Sequence, residues 1–302
     1  MKILFNRKPI DGPWGGGNLL VQALCSYAKS HGINIVYEFE AGIDAILMLD
    51  PRPNELGIGV EQIYSHSKAF NVPVIHRVNE CDARKGTTDV DKMLQECSKI
   101  SKTTVFVSEW MKNYHANLGW FCSDQKVIYN GVDHEHFKPT EKLANGKINI
   151  VAHHWSDNYK KGFDVYEDLD RWVARNPDFT FTYIGRERGT FKNTTVIAPI
   201  HGKTLGHKLG SFDVYVSASR YDPGPNHIIE AVACDLPTYT ILNGGGACEF
   251  AGPDGVYKNF EELVKKLEAK NFEAAKPYDG WPITWESCAA RFFDVIKKAA
   301  NK

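Results

Sequence analysis

The chain has 302 residues, 43% of them hydrophobic and 24% charged, and a formal net charge of −1 at pH 7. Those figures suit an ordinary globular protein of two domains of ~150 residues each, and they argue against a large electrostatic footprint for nucleic acid or a membrane surface. The seven cysteines are scattered, odd in number and without a CxxC pair, which favours reduced thiols in a cytoplasm over a disulfide framework.

Residues 2–5 read as a first strand that enters a charged loop too soon for a signal peptide, and no apolar run approaches the ~20 residues of a membrane span. After the loop 6–14, Gly15-Gly16-Gly17-Asn18 opens an amphipathic helix over 19–28. Gly32 ends it and 33–37 form a second strand. A strand, a glycine turn and a helix start make a phosphate cradle, because backbone approaches closely only where Cβ is absent; a plain tight turn is the alternative. Strands at 45–49 and 72–75 flank a helix near 61–70. The second strand delivers the polar run His76-Arg77-Val78-Asn79-Glu80-Cys81-Asp82 at its carboxyl end, where open α/β sheets collect ligands; a solvated loop is the alternative. A helix at 90–99, a strand at 103–107, a helix at 109–118 started by Ser108 as N-cap, and a strand at 127–129 follow. The turn Asn130-Gly131-Val132-Asp133 comes next, with Asp133 capping its own loop. His134 and His136 lie there without a third ligand nearby and read as solvated rather than metal-binding.

The polar stretch 140–147 reads as a linker, and a strand at 148–152 begins a second set of alternating elements. Beyond it lie His153-His154-Trp155-Ser156 and Lys160-Lys161-Gly162, then a helix over 163–174 in which Asp168 and Asp170 read as solvated surface. The strand 179–184 ends in Gly185-Arg186, 196–199 is a further strand, His201-Gly202 forms a loop, 205–210 a helix and 213–219 a strand. Residues 222–237, DPGPNHIIEAVACDLP, are the focus. An acid in a Pro/Gly turn precedes a short helix over 227–234 with Asn226 as N-cap. The helix start offers N–H groups and partial positive charge to a phosphate. Glu230 lies one turn inside, placed to accept hydrogen bonds from hydroxyls. A buried strand, 238–242, then a polar helix at 262–270, the stretch 281–285 and a last helix at 286–300 complete the pattern.

Residues 222–237 resemble the signature of retaining glycosyltransferases, chiefly glycosyltransferase family 4: an acid, seven residues, a glutamate, then Ala-x-Ala-x-x-x-Pro. Asp222, Glu230, Ala231, Ala233 and Pro237 hold those places, with Asp for the usual Glu and Asp235 for the common Gly. Residues 130–139 match the family's Asn-Gly-Val-Asp-x-x-x-Phe-x-Pro at every fixed position. Lys161-Gly162 resembles its Lys-Gly, 213–219 its strand before the acid, and 243–250 its Gly-Gly-x-x-Glu loop. Ser156 stands where the family has an arginine.

The resemblance implies a GT-B fold, two Rossmann-like doubly wound domains facing across a cleft: 1–139 on the acceptor side, 146–285 for the donor, and 286–302 a helix returning to the first domain. It implies a retaining transfer from a nucleotide-diphosphate sugar, with UDP- or GDP-sugar expected, to a hydroxyl of a saccharide or lipid-linked acceptor. Asp222, Glu230, His76 and Lys161 would be catalytic: Glu230 on the ribose hydroxyls, Asp222 on the donor sugar, His76 orienting donor or acceptor. Lys161, the helix start Asn226-His227-Ile228 and Gly15, Gly16 and Gly17 would neutralise the diphosphate. Gly185, Arg186 and His201 would lie near the nucleotide, with Arg186 a candidate for the missing charge or a surface ion pair. Asn79 and Asp82 would face the acceptor. No metal or other cofactor is expected, nor a nucleic-acid partner or an integral membrane segment, and the expected compartment is the cytoplasm. A phosphorolytic or hydrolytic enzyme of the same fold, a sugar-nucleotide epimerase and a nucleotide-sugar-binding protein without turnover are the alternatives.

Overall fold

The computed structural model describes residues 1–12, 15–53, 55–120, 122, 124–252, 254–277 and 282–301. Residue 281, at the start of the predicted 281–285 approach to the last helix, lies outside them. The chain divides into two compact units, Met1–Gly131 with Trp285–Lys302, and Val132–Thr284.

The first unit runs β1 (Lys2–Phe5), α1 (Gly16–Ser30), β2 (Asn34–Val36), β3 (Ala45–Met48), α2 (Val60–Phe70), β4 (Val74–Val78), α3 (Asp82–Lys85), α4 (Val90–Ser98), β5 (Thr103–Phe106), α5 (Glu109–Asn117) and β6 (Gln125–Val127). Its strands form one parallel sheet in the order β2-β1-β3-β4-β5-β6. The apolar strand centres, such as Ala45–Met48, are buried on both faces, as a parallel sheet covered by helices requires. On one face Leu4, Ile46, Met48 and Val74 pack with Ile63 and Cys97. Winding reverses between β1 and β3, and buried Asn6 laces that point by accepting from the Leu49 N–H at 2.8 Å.

The second unit runs β7 (Ile148–His154), α6 (Phe163–Val173), β8 (Phe179–Gly185), β9 (Thr195–Ile197), α7 (Gly202–Gly210), β10 (Val214–Ser217), α8 (Asn226–Ala233), β11 (Thr238–Ile241), β12 (Val256–Tyr257) and α9 (Phe260–Ala269). Its sheet, also parallel, has the order β12-β11-β10-β7-β8-β9, so winding reverses between β7 and β10. An aromatic core of Phe163, Tyr166, Phe181, Tyr183 and Tyr239 fills one face. The last helix, α10 (Trp285–Ala299), belongs to the first unit, where Phe293 stacks on Tyr27 of α1 at 5.2 Å.

Two boundaries and one surface assignment differ from the sequence reading. β4 does not stop at residue 75 but continues through His76, Arg77 and Val78, all buried. β7 does not stop at 152 but carries His153 and His154 into the sheet. Asp170 is not solvated surface: it is 3% exposed, and its carboxylate accepts from the Lys192 and Asn193 N–H groups and from Thr194 Oγ1. Burial pushes the Asp170 carboxyl up, but these bonds prevail and hold it below the usual carboxylate range. The acid thus clamps the segment after β8 onto α6.

Candidate functional site

In a doubly wound sheet, loops leaving adjacent strands part in opposite directions where winding reverses, which leaves a crevice at the carboxyl ends. In the second unit the reversing strands are β7 and β10. The segments that follow them carry Lys161 and Asp222, and α8 carries Glu230. The most specific part of the sequence motif therefore falls where the topology opens the sheet.

Asp222 is held on several sides. Tyr221 donates its N–H to Asn243 O at 2.8 Å, Asp222 to Gly244 O at 3.0 Å, and Gly246 donates back to Asp222 O at 2.8 Å. Tyr221 takes φ +53° to make that path, a left-handed conformation unusual for an aromatic residue and a local strain beside the acid. The Asp222 side chain is buried and its Oδ2 lies 3.0 Å from Lys161 Nζ and 3.0 Å from Ser219 Oγ, which donates to it. Lys161 reaches it from the end of a short 3-10 helix, Tyr159–Lys161, because Gly162 turns the chain at φ +91°. A Cβ on Gly162 would sit 2.3 Å from the Ala218 carbonyl oxygen, so only glycine brings the lysine this close to β10.

The next layer is histidine. His227, in the first turn of α8, places Nδ1 3.9 Å from Asp222 Oδ2 and Nε2 2.9 Å from Ser217 Oγ. His154 lies edge-on to the His227 ring at 4.6 Å and bonds Tyr166 Oη through Nε2 at 2.7 Å. The Tyr166 hydroxyl also accepts from Ala218 N–H. His153 Nε2 lies 2.8 Å from Glu230 Oε2. The two acids eight positions apart are thus backed by separate histidines, and the ammonium of Lys161 stands beside one of them. Asn226 and Ile228 are the first and third residues of α8, Ile228 fully buried; the N-cap is Pro225, not Asn226, and the Asn226 N–H donates to the Gly224 carbonyl at 3.1 Å.

The other expected nucleotide contacts separate. Gly185 is the last residue of β8, and a Cβ there would meet the His154 carbonyl oxygen at 1.9 Å, a packing reason for its identity. Arg186 is exposed and stacks its guanidinium on Trp155 at 4.5 Å. Arg220 is committed to Asp164 through two hydrogen bonds of 2.9 and 2.7 Å. Ser156, half-buried, accepts from the Asn158 N–H at 3.2 Å. His201 is exposed at the cap of α7.

In the first unit, Gly15 caps α1 at φ +84° with no side-chain cap, and Cβ atoms at Gly15 or Gly17 would meet nothing within 4 Å, so the space over this helix start is open. Asn18 holds the preceding loop by bonding both the N–H and the carbonyl of Ile10, at 2.8 and 2.7 Å. His76, expected past a strand end, is inside β4 and fully buried, with neither ring nitrogen hydrogen-bonded. Burial, with His115 adding to it, pulls its pKa down to about 3. Asn79, half-buried, follows β4 directly. Asp82 is spent on structure: its carboxylate accepts from Thr87 Oγ1 and from the N–H groups of Val90 and Asp91 at the start of α4.

Among the described residues no group of three or more His, Cys, Asp or Glu is placed to hold a metal ion. His134 Nε2 bonds the Pro282 carbonyl at 3.0 Å and His136 Nδ1 pairs with Asp133 at 3.0 Å. The sequence reading missed His153, His154 and Ser219. The adjacent His-His pair after an apolar run was the one available signal, and it looked like the start of a loop.

No protein-family model and no curated protein matches the sequence. Solved structures do. The chain is similar to sucrose-phosphate synthase from Thermosynechococcus elongatus at 13% identity and TM-score 0.71, over 98% of both chains. It is similar to Anabaena HepE in complex with UDP-glucose at 14% identity and TM-score 0.69, over 100% of this chain and 98% of that one. A third, WaaG, a glycosyltransferase involved in lipopolysaccharide biosynthesis, matches at 11% identity and TM-score 0.62 over 100% and 99%. At such identities the likeness is one of fold: two parallel six-stranded α/β units of the GT-B type, along nearly the whole chain.

Proposed function

We propose that the chain is a retaining glycosyltransferase that takes a sugar from a nucleotide-diphosphate donor, UDP-sugar first among them, to the hydroxyl of a saccharide or lipid-linked acceptor. The observation that carries this reading is the cluster of Lys161, Asp222 and Glu230 at the winding reversal of the second unit, around the start of α8. The likeness in fold to HepE, solved with UDP-glucose, supports a uridine donor.

In this reading Glu230 accepts the ribose hydroxyls, Asp222 the donor-sugar hydroxyls, and Lys161 with the positive end of the α8 dipole takes the diphosphate charge. Arg186, paired with no carboxylate among the described residues and steadied on Trp155, adds a second cation at the nucleotide, near Gly185 and His201. The acceptor oxygen bonds to the anomeric carbon as the bond from that carbon to the β-phosphate oxygen breaks. The electron pair leaves with the nucleoside diphosphate, and a leaving phosphate oxygen receives the acceptor proton. The groups of this chain contribute by meeting charge as it develops on that oxygen. Lys161 supplies the cation for this, so transfer proceeds without a metal. Asn79 serves the acceptor. His76 and Asp82 serve it only through the residues they support, His76 as a buried packing residue within β4 and Asp82 as the clamp on α4. With its seven cysteines free, the protein is proposed to work in the cytoplasm. The test is turnover: a sugar nucleotide given to the protein with a saccharide acceptor releases its nucleoside diphosphate, and the transferred sugar keeps its anomeric configuration.

A further inference from the structure

Glu230 is half-buried on α8, and its hydrogen bonding is one-sided: Oε2 lies 2.8 Å from His153 Nε2, and no other partner holds the carboxylate among the described residues. A carboxylate only accepts, so Nε2 must carry the proton that joins them. The other ring nitrogen, Nδ1, is buried without a partner; a lone pair there avoids stranding an N–H away from water. The contact thus fixes the orientation of the imidazole, with its donor turned to Glu230.

The ring that donates is itself held. The Tyr215 hydroxyl lies 3.3 Å from both the N–H and the carbonyl of His153, accepting from the first and donating to the second. Tyr215 and His227 face the ring edge-on at 5.5 and 6.3 Å. His153 is 6% exposed, so it has little room to leave its rotamer. A group that is nearly buried, is fixed by its neighbours and occupies one oxygen of an acid leaves the second oxygen, Oε1, presented in one orientation.

We propose that His153 is the positioning residue for Glu230, holding Oε2 so that Oε1 accepts from the ribose hydroxyls of a nucleoside diphosphate. This rests on the role given to Glu230 above, and it adds that recognition of the ribose is set from β7, 77 positions away in sequence. Without the donor, the carboxylate turns among several rotamers and its preference for a hydroxylated ribose is lost.

The test uses the full chain and two nucleotides, UDP and 2′,3′-dideoxy-UDP, with affinities from calorimetry and folding checked by melting. The wild-type protein is expected to bind UDP about tenfold more tightly than the dideoxy analogue, the scale of a hydrogen bond to a charged group. His153→Asn places its amide near the position of Nδ1, too short for Glu230, and is expected to bring the two nucleotides within about twofold by weakening UDP alone. His153→Gln reaches the position of Nε2 and is expected to keep most of the preference. A purely structural role would lower both affinities together and would not separate the two amides. A folded His153→Asn protein with the full preference overturns the inference and leaves the proposed function standing. Wild-type protein that binds both nucleotides equally, or neither, removes the ribose role of Glu230 and the inference with it.

Discussion

Replacing Asp222 by asparagine removes a charge and keeps the shape. Its Oδ2 lies 3.0 Å from Lys161 Nζ, and the two side chains are only 10% and 13% exposed. The amide introduced by Asp222→Asn can still accept from Ser219 Oγ and present a carbonyl oxygen to the ammonium, so the fold is retained. A diphosphate docking on the far side of the same ammonium would bring its nearest charge to about 6 Å from the carboxylate, taking ~3 Å for each contact. Between effective dielectric constants of about 20 and 40, the repulsion removed is about 1–3 kcal/mol per unit charge. Asp222→Asn is therefore expected to bind UDP about ten- to a hundredfold more tightly than the wild type, while losing transfer because the sugar loses its acceptor. Calorimetry at low and moderate salt measures the first effect, and release of nucleoside diphosphate from the donor measures the second. A folded Asp222→Asn protein that binds UDP no better, or worse, refutes the placement of the diphosphate on Lys161.

Two further outcomes follow from the packing. His76 and His115 are buried, and burial pulls their pKa values down to about 3 and to about 4. The fold keeps them neutral while the unfolded chain takes up protons below about 6.5, so their contribution is intact above that pH and drains as pH falls towards those values, by about 1.4 kcal/mol per pH unit for each histidine. Urea unfolding at pH 7 and pH 5 is expected to differ by about 4 kcal/mol from this pair, and His115→Asn to lose about half of that difference; equal stabilities at the two pH values would show that the pair does not titrate this way. Gly162→Ala forces a Cβ to within 2.3 Å of the Ala218 carbonyl oxygen at φ +91° and is expected to destabilise the second unit by about 3 kcal/mol or more and to weaken UDP by displacing Lys161. A melting temperature and UDP affinity like those of the wild type would mean the turn relaxes without moving the lysine.

The parts of the site that were legible in the sequence are those whose chemistry is local. Asp222 in its Pro/Gly turn, Glu230 one helical turn into α8 and the Lys161-Gly162 turn are set by backbone preferences within a few residues. The histidines were not legible, for a physical reason. In a parallel sheet buried on both faces, an apolar run marks a strand, so the reading ended β4 before His76 and β7 before His153. Both strands continue because each imidazole is buried among aromatic and polar neighbours supplied by distant segments, Trp120 for His76 and Tyr215 with Glu230 for His153. Asp170 was misjudged in the same way, since its partners 192–194 come from the segment between β8 and β9.

The measurement that bears most directly on the central claim is donor turnover. UDP-, GDP-, ADP- and dTDP-sugars would each be incubated with the protein and a panel of saccharide and lipid-linked acceptors, with magnesium or with EDTA, and followed by NMR for the released nucleoside diphosphate and the anomer of the transferred sugar. The account predicts that one nucleotide class, with uridine first, is turned over equally with EDTA, that the sugar first appears with its original anomeric configuration, and that Glu230→Ala abolishes the reaction. Tight binding of a nucleotide without release from any sugar donor would contradict it and make the chain a binding protein of the same fold.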